Sequence, residues 1–249
     1  MSALLIDVGN TAIKWCIERD GVLGEVTRCE RSLAAFVESL SVIGTDISQV
    51  AIASVAGADF EQQLAQALGD ITGAAVAFAR TAAAAGPLHN SYAEPERMGV
   101  DRWLAMLGAF EPGKGPVCVI DAGTAITVDL VDAQGRHVGG YIIPGIQMMT
   151  AALLSQTDRI RFDDQAPTTL KPGQSTAACV TAGVWAASFG GVQQVMAQHP
   201  DYRIVLAGGD ASALIALGIN GVWYPDLVFE GLRRWLTLNL SDYSPKQGR

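Results

Sequence analysis

Apolar residues in this chain fall into short runs separated by segments with helical spacing, which predicts an α/β protein. Apolar runs of the length expected for buried strands occur at 3–6, 50–55, 75–78, 117–120 and 203–207. Apolar positions spaced along one helix face predict helices at 33–40, 60–68, 146–154 and 227–239, and Ser32 can cap the first. Strands that alternate with helices imply a sheet with a parallel portion, covered on both faces.

The first apolar run leads into a tight polar turn, Asp7-Val8-Gly9-Asn10-Thr11-Ala12-Ile13-Lys14. Alternating residues after the turn predict a second, half-buried strand, followed by a third at 22–28. Gly9 allows close approach of a ligand to the backbone, while the turn N–H groups, the Thr11 hydroxyl and Lys14 can bind phosphate oxygens. Because Asp7 repels phosphate, its natural role is to hold a metal ion. An ordinary hairpin with Asn and Gly at its turn explains this stretch alone equally well.

The same plan recurs in the second half of the chain. An apolar run at 117–120 precedes Asp121-Ala122-Gly123-Thr124-Ala125-Ile126-Thr127-Val128-Asp129, so a strand again ends in Asp, a small residue, Gly and a polar turn. Two such hairpins indicate a duplicated fold with a nucleotide cleft between the halves. The stretch 111–116, rich in Gly and Pro, is the best linker, and we therefore expect domains at residues 1–114 and 115–249.

Composition narrows the classes of function. The net charge of −8 argues against a nucleic-acid partner, which normally requires a basic face. The four cysteines show no CxxC motif and no paired spacing, so we interpret them as reduced core thiols of a cytoplasmic protein.

The segment Thr176–Gln198 contains no charged residue and is long enough to span a bilayer. Glutamines and a Gly190-Gly191 pair interrupt it, however, and strongly apolar residues are sparse. A helix without charge on any face is buried on most sides. We therefore predict a core helix that also packs against a second subunit, and no membrane span.

Two further stretches are candidates for ligand binding. The irregular stretch 80–98 is followed by a predicted helix start at Gly99-Val100-Asp101-Arg102, where the exposed N–H groups favour the binding of anions. For Asp101 alone, a helix-capping role is the simpler explanation. The glycine pair Gly208-Gly209 follows a strand, and it either admits a flat or anionic ligand to the backbone or forms a plain tight connection.

These motifs together resemble those of the type III pantothenate kinases, bacterial enzymes with the duplicated actin-like (ASKHA, ribonuclease H-like) ATPase fold. The hairpins Asp7–Lys14 and Asp121–Asp129 match the superfamily, and Gly99-x-Asp-Arg-x-x-Ala105 and Gly139-Gly-x-Ile-x-Pro-Gly145 narrow the match to this family. The Ser175-Thr176 pair stands where the family usually has Asn-Thr. The resemblance implies ATP-dependent phosphorylation of pantothenate to 4'-phosphopantothenate, the first step of coenzyme A biosynthesis, by a homodimer with its active site near the interface.

The resemblance also implies roles for individual residues. Asp101 would be the general base, Asp7 would hold Mg²⁺ through water, Asp121 would bind K⁺ or NH₄⁺, and Thr176 would act across the dimer interface. The implied ATP- and phosphate-binding residues are Asp7, Val8, Gly9, Asn10, Thr11, Ala12, Ile13, Lys14, Thr124, Gly208, Gly209 and Asp210. The implied pantothenate-binding residues are Tyr92, Gly99, Val100, Asp101, Arg102 and Thr176.

Two other classes of function remain open at this point. A different small-molecule kinase or phosphatase of the same superfamily would keep both hairpins without needing the motif Gly99–Ala105. A non-catalytic relative that acts as a regulator or binding module would be expected to lose Asp7 or Asp101, and this sequence keeps both.

Overall fold

The structure is a computed structural model that describes residues 2–42, 46–156, 160–161 and 166–241. Its strands are β1 Ser2–Val8, β2 Ala12–Arg19, β3 Val22–Leu23, β4 Thr27–Glu30, β5 Ile47–Ser54, β6 Ala75–Phe78, β7 Ala84–Ala85, β8 Leu88–His89, β9 Val117–Ala122, β10 Ala125–Val131, β11 His137–Pro144, β12 Arg203–Ala207 and β13 Val222–Trp223. Its α-helices are α1 Leu33–Ser39, α2 Ala58–Thr72, α3 Val100–Ala109, α4 Ile146–Gln156, α5 Thr176–Gln198, α6 Ala211–Leu217 and α7 Leu227–Ser241, with 3₁₀ turns at Leu40–Val42 and Pro95–Arg97.

The chain divides into two compact units. The first contains the described residues up to Phe110 together with those from Asp226 onward, and the second runs from Glu111 to Pro225. The sequence suggested domains of 1–114 and 115–249, so the linker lies close to the expected place. The difference is α7, which belongs to the first unit because the chain returns to pack on α3.

The first unit is built on a sheet with the strand order β3-β2-β1-β5-β6, and β4 also pairs with β2. Strands β1 and β2 form the predicted antiparallel hairpin, whereas β5 and β6 run parallel to β1. One face of this sheet packs against α1 and α2 through a buried cluster that includes Ile6, Ile13, Phe36 and Leu64. The single strand predicted at 22–28 is wrong: Gly24 donates its N–H to the Ile17 carbonyl, which separates β3 from β4.

Helices α3 and α7 approach each other closely in the first unit. A Cβ on Gly108 would lie 2.5 Å from the Leu227 carbonyl oxygen, and one on Gly231 would collide with the Leu104 carbonyl. Only glycine permits this backbone contact, so the two glycines fix the position of the helix that begins at Val100.

The second unit repeats the strand order of the first. Its sheet runs β11-β10-β9-β12-β13, in which β10 is antiparallel to both β9 and β11, whereas β12 and β13 are parallel to β9. The core packs beneath α5 and α6, around Ile120, Trp185, Leu206 and Leu214. An antiparallel meander followed by parallel strands in both units confirms the predicted duplicated α/β fold.

The cysteines agree only in part with their prediction as core thiols. All four are free, and burial raises the pKa of Cys16 and of Cys118 to about 12, so both thiols are inert at neutral pH. Cys29 is half-buried, and Cys179 is exposed on α5, which contradicts a core position for Cys179. Within the part of the chain that the structure describes, no helix combines the length and hydropathy needed to cross a bilayer.

Candidate active site

The first hairpin presents a polar turn at the carboxyl end of β1. Asp7 lies opposite Lys14 in the register of β1 and β2, and Gly9, Asn10 and Thr11 form the turn between the strands. The Gly9 N–H donates to the Ala12 carbonyl at 3.0 Å, and a Cβ at Gly9 would lie 3.3 Å from that oxygen. Asn10 and Thr11 are exposed, so the turn offers its polar groups to a ligand.

The side chain of Arg31 holds the turn of the first hairpin in place. Its guanidinium Nη1 donates to the Asn10 carbonyl at 3.0 Å from the segment that follows β4. The pairing of β4 with β2, in which Glu30 lies opposite Ala12, brings this segment beside the turn. Sequence reasoning missed Arg31, because the contact depends on a strand pairing that no local motif predicts.

The predicted helix start is confirmed at α3. Gly99 is the N-cap residue, and Asp101 lies in the first turn, where its Oδ1 accepts the N–H of Arg102 at 2.8 Å. Asp101 is therefore not the N-cap residue, although it binds one N–H of the first turn. A Cβ on Gly99 would lie 2.5 Å from Asp101 Oδ1, so glycine at this position leaves room for the carboxylate.

Arg102 contacts Tyr92, and both residues were predicted to bind pantothenate. Arg102 is buried, yet its Nη1 donates to the Tyr92 hydroxyl at 3.0 Å, and its guanidinium carbon lies 5.9 Å from the centre of the Tyr92 ring. Tyr92 itself is exposed. The Arg102 guanidinium is thus a buried positive charge held next to the accessible Tyr92 ring. Arg102 also follows Asp101 directly in the sequence.

Asn90 organises the irregular stretch that carries Tyr92. Its side-chain oxygen accepts the Tyr92 N–H at 2.9 Å, and its side-chain nitrogen lies 3.4 Å from the Ala82 carbonyl and 3.5 Å from the Pro95 carbonyl. A further hydrogen bond joins the two ends of the stretch, since Thr81 Oγ1 donates to the Met98 carbonyl at 2.9 Å. Sequence reasoning did not single out Asn90, although an Asn in a loop commonly forms an Asx turn, in which its side-chain oxygen accepts the N–H two residues on.

The second hairpin has the same construction with a shorter turn. The Gly123 N–H donates to the Ala125 carbonyl at 3.0 Å, and Thr124 is exposed at the tip. The Thr124 carbonyl accepts the N–H of Gly145 at 3.1 Å, and a Cβ at Gly145 would collide with that carbonyl. The glycine of the Pro-Gly motif therefore packs directly against the second turn.

The glycine pair after β12 lies against the carboxylate of the second hairpin. Gly208 has a φ of 87°, and a Cβ there would collide with Asp121 Oδ1 and the Ala122 carbonyl. The Asp210 N–H donates to the Ala122 carbonyl at 2.9 Å, and partial burial raises the pKa of the Asp210 carboxyl. The structure therefore brings Asp121 together with the Gly208–Asp210 connection.

Thr176 opens α5, where it is exposed, and the preceding Ser175 is the N-cap, because its Oγ accepts the Ala178 N–H at 3.2 Å. The role of Thr176 toward substrate stays a prediction.

Asp129, the last residue of the second hairpin motif, belongs to the core. It is buried, and its Oδ1 lies 3.0 Å from Nε2 of His137, which is also buried. The pair links β10 to β11. Sequence reasoning gave His137 no role, because a lone histidine after a turn carries no local signal of such a partner.

The oxygen donors at both hairpins suit hard cations. Asp7 ends β1 beside the polar turn, and Asp121 lies next to the Ala122 carbonyl. Among the described residues no group of three or more His, Cys, Asp or Glu could hold a metal ion by itself. Single carboxylates are compatible with a Mg²⁺ that keeps several waters or with a monovalent cation shared with a ligand.

Comparison with known proteins identifies the family. A family model described as type III pantothenate kinase matches residues 3–198. The chain is 37% identical over 237 residues to the type III pantothenate kinase of Marinobacter nauticus, covering 93% of this chain and 96% of that one. It is also 37% identical over 244 residues to the enzyme of the same name from Cellvibrio japonicus, covering 92% and 94%.

Solved structures are similar in fold at low sequence identity. The activator of 2-hydroxyisocaproyl-CoA dehydratase from Clostridium difficile, solved with bound ADPNP, gives a TM-score of 0.55 at 13% identity, covering all of this chain and 98% of that one. The ethanolamine utilization protein EutJ from Carboxydothermus hydrogenoformans gives 0.53 at 12%, covering 94% and 90%. With the family match over most of its length, the chain belongs to the type III pantothenate kinases.

Proposed function

We propose that this protein transfers the γ-phosphoryl group of ATP to the terminal hydroxyl of pantothenate, producing 4'-phosphopantothenate for coenzyme A synthesis. The family match carries this proposal. The observation that supports it in the structure is the arrangement at the start of α3, where Asp101 adjoins the Arg102–Tyr92 pair. An acidic group and a fixed cation at one helix start suit a substrate with a hydroxyl at one end and a carboxylate at the other.

Asp101 acts as the general base in this proposal. As the pantothenate hydroxyl oxygen bonds to the γ-phosphorus, the bond from phosphorus to the bridging oxygen breaks, ADP leaves, and the hydroxyl proton passes to Asp101. Arg102 binds the carboxylate or polar arm of pantothenate, and Tyr92, Gly99 and Val100 line its pocket. Because Arg102 is already held by Tyr92, little side-chain entropy is lost when substrate binds.

The phosphates bind at the turns of the two hairpins. The backbone N–H groups of the turn within Asp7–Lys14, the hydroxyls of Thr11 and Thr124 and the Lys14 ammonium donate to phosphate oxygens, and Gly208, Gly209 and Asp210 contact the nucleoside. Mg²⁺ held through water by Asp7 supplies charge neutralisation for the phosphates when it is bound. Asp121 binds K⁺ or NH₄⁺, which prevents its carboxylate from repelling the nucleotide.

We further propose that the protein works as a homodimer in the cytoplasm. Strand β11 exposes Tyr141 and Ile142, and the α4 side chain of Met148 is exposed as well. None of the eleven residues of α4 is buried within the chain. An apolar surface of this kind is typical of a subunit interface. Thr176 would then contribute to the substrate pocket of the other subunit.

A coupled assay of ADP release tests the reaction, with pantothenate as acceptor and the phosphorylated product identified by mass spectrometry. We expect ADP release that depends on pantothenate and on Mg²⁺. ATP turnover with a sugar or another alcohol but not with pantothenate would instead indicate a different kinase of the superfamily. Failure to turn over any acceptor, with intact nucleotide binding, would favour a regulatory relative.

A further inference from the structure

Strand β4 adds a third charged residue to the row that begins at Asp7. In the strand register, Asp7 of β1 lies opposite Lys14 of β2, and Lys14 lies opposite Arg28 of β4. Directly opposite residues of antiparallel strands project from the same face, with Cβ atoms about 4.5–5.5 Å apart. Asp7, Lys14 and Arg28 therefore form one continuous row across three neighbouring strands.

This row lies on the face of the sheet opposite α1 and α2. Ile13 and Trp15, which flank Lys14, belong to the core cluster on the α1–α2 side, and Cys29, next to Arg28, packs against that cluster. Because side chains alternate along a strand, Lys14 and Arg28 project from the other face. Lys14 is half-buried and Arg28 is exposed, so the Arg28 guanidinium is accessible.

Two facing cations are unfavourable without an anion. Like charges directly opposite each other destabilise a sheet, and the register places only one carboxylate, that of Asp7 opposite Lys14, beside these two cations. Glu30, opposite Ala12, is the acidic residue of β4 on the same face, and it lies one alternation nearer the turn. A phosphate group has the charge and the oxygen geometry to bind both cations, since guanidinium donates a pair of parallel hydrogen bonds.

We propose that Arg28 is a phosphate-binding residue, which shares the β-phosphate of the bound nucleotide with Lys14. This inference rests on the proposed use of ATP. It extends the phosphate site from the turn of the first hairpin along the strand row to β4.

Nucleotide binding measured by calorimetry tests the proposal without requiring turnover. Wild-type protein, Arg28→Gln and Arg28→Lys are titrated with ADP and with AMP in the presence of Mg²⁺. We expect Arg28→Gln to weaken ADP binding by roughly 5–30-fold, since it removes a charge-assisted contact. Arg28→Lys should retain part of the affinity, and AMP, which lacks the β-phosphate, should bind all variants within about twofold.

The matched control is Arg19→Gln. Arg19 is also exposed and its loss changes the net charge equally, but it lies five residues along β2 from Lys14, roughly 17 Å away. Arg19→Gln should bind ADP like wild type. Equal weakening by Arg19→Gln and Arg28→Gln would overturn the proposal, because it would indicate only long-range charge. Unchanged ADP affinity in both Arg28 variants would overturn it as well.

The two proposals can fail separately. A wild-type protein that phosphorylates pantothenate while Arg28→Gln keeps its ADP affinity contradicts the role of Arg28 alone. A wild-type protein that binds ADP through Arg28 but phosphorylates no pantothenate supports the role of Arg28 and contradicts the proposed acceptor.

Discussion

Asp101 is the residue whose role can be tested most directly. Asn in its place keeps an oxygen that can accept the Arg102 N–H, a bond now 2.8 Å long, but cannot take a proton. We expect Asp101→Asn to lower kcat by roughly 10²–10⁴-fold, the usual contribution of a general base. Its melting temperature and its affinity for ATP should stay close to those of wild type.

The variant Asp101→Ala tests the contribution of Asp101 to stability, as distinct from its role as a general base. It removes the oxygen that accepts the Arg102 N–H, and should therefore lower the free energy of unfolding by about 0.5–1.5 kcal/mol, the usual contribution of one hydrogen bond, in addition to lowering activity. Near-normal kcat in Asp101→Asn would mean that the carboxylate only stabilises the first turn of α3. Steady-state kinetics and thermal melts on the same preparations distinguish these two results.

Asp121 should determine the response to monovalent cations. Its carboxylate lies against the Gly208 backbone, where without a bound cation it would repel nucleotide phosphates. We expect the rate to rise when K⁺ or NH₄⁺ replaces Na⁺ at constant ionic strength, and Asp121→Ala to abolish that difference. Equal rates of wild-type protein in the three salts would contradict the assignment. Asp132→Ala, which removes an acid from the exposed turn before β11, is the charge-matched control.

At the scale of elements, Arg234 links α7 to the end of α3, and Glu230 holds Arg234 in place. The Glu230 carboxylate accepts hydrogen bonds from Arg233 and Arg234, and Arg234 Nη1 also donates to the Leu107 carbonyl at 3.1 Å and the Phe110 carbonyl at 2.8 Å. Burial favours the protonated form of Glu230, but the hydrogen bonds from Arg233 and Arg234 outweigh burial, so its pKa is lowered. The ionised carboxylate therefore stabilises the folded state.

The pH dependence of Glu230→Gln follows from that shift. Because the pKa of Glu230 is lower in the folded than in the unfolded state, its carboxylate stabilises the folded state fully at pH values above the unfolded-state pKa, about 4.3 for Glu. This stabilisation is lost as the pH falls through the folded-state pKa. We expect the variant to be about 1–3 kcal/mol less stable than wild type at pH 7. The difference should shrink below about pH 4. Urea unfolding at several pH values measures it, with exposed Glu38→Gln as the control; a difference independent of pH would contradict the prediction.

The elements that the sequence predicted well are those with a local signal. Both hairpins follow from an apolar run, an Asp and a Gly within a few residues, and the α3 start follows from Gly99. The return of α7 to the first unit was not predictable, because it depends on glycines that meet across helices far apart in sequence. Arg31 and His137 were missed for the same reason: each acts through a partner set by strand pairing.

At the scale of the whole molecule, the apolar surface of the second unit predicts self-association. Strand β11 is an edge of its sheet, and Tyr141 and Ile142 on it are 45% and 65% exposed, with Met148 of α4 at 48%. An exposed edge strand with apolar side chains readily pairs with another chain. The uncharged helix α5, which contacts α4, has eight buried residues and therefore belongs to the core of the second unit, while its packing against a second subunit stays a prediction.

A substitution on each edge of the same sheet tests whether this surface forms the dimer. Ile142→Asp places a carboxylate on β11, and burying that charge in an interface should weaken association by about 2–4 kcal/mol, or roughly 30–1,000-fold in the dissociation constant. Val222→Asp makes the same kind of change on β13, where Val222 is 56% exposed. Sedimentation velocity at low micromolar concentration should show a dimer for wild type and Val222→Asp and a monomer for Ile142→Asp. An active wild-type monomer, or dissociation by Val222→Asp instead, would contradict an interface at β11, because the charge at each edge disturbs only the contact that buries it.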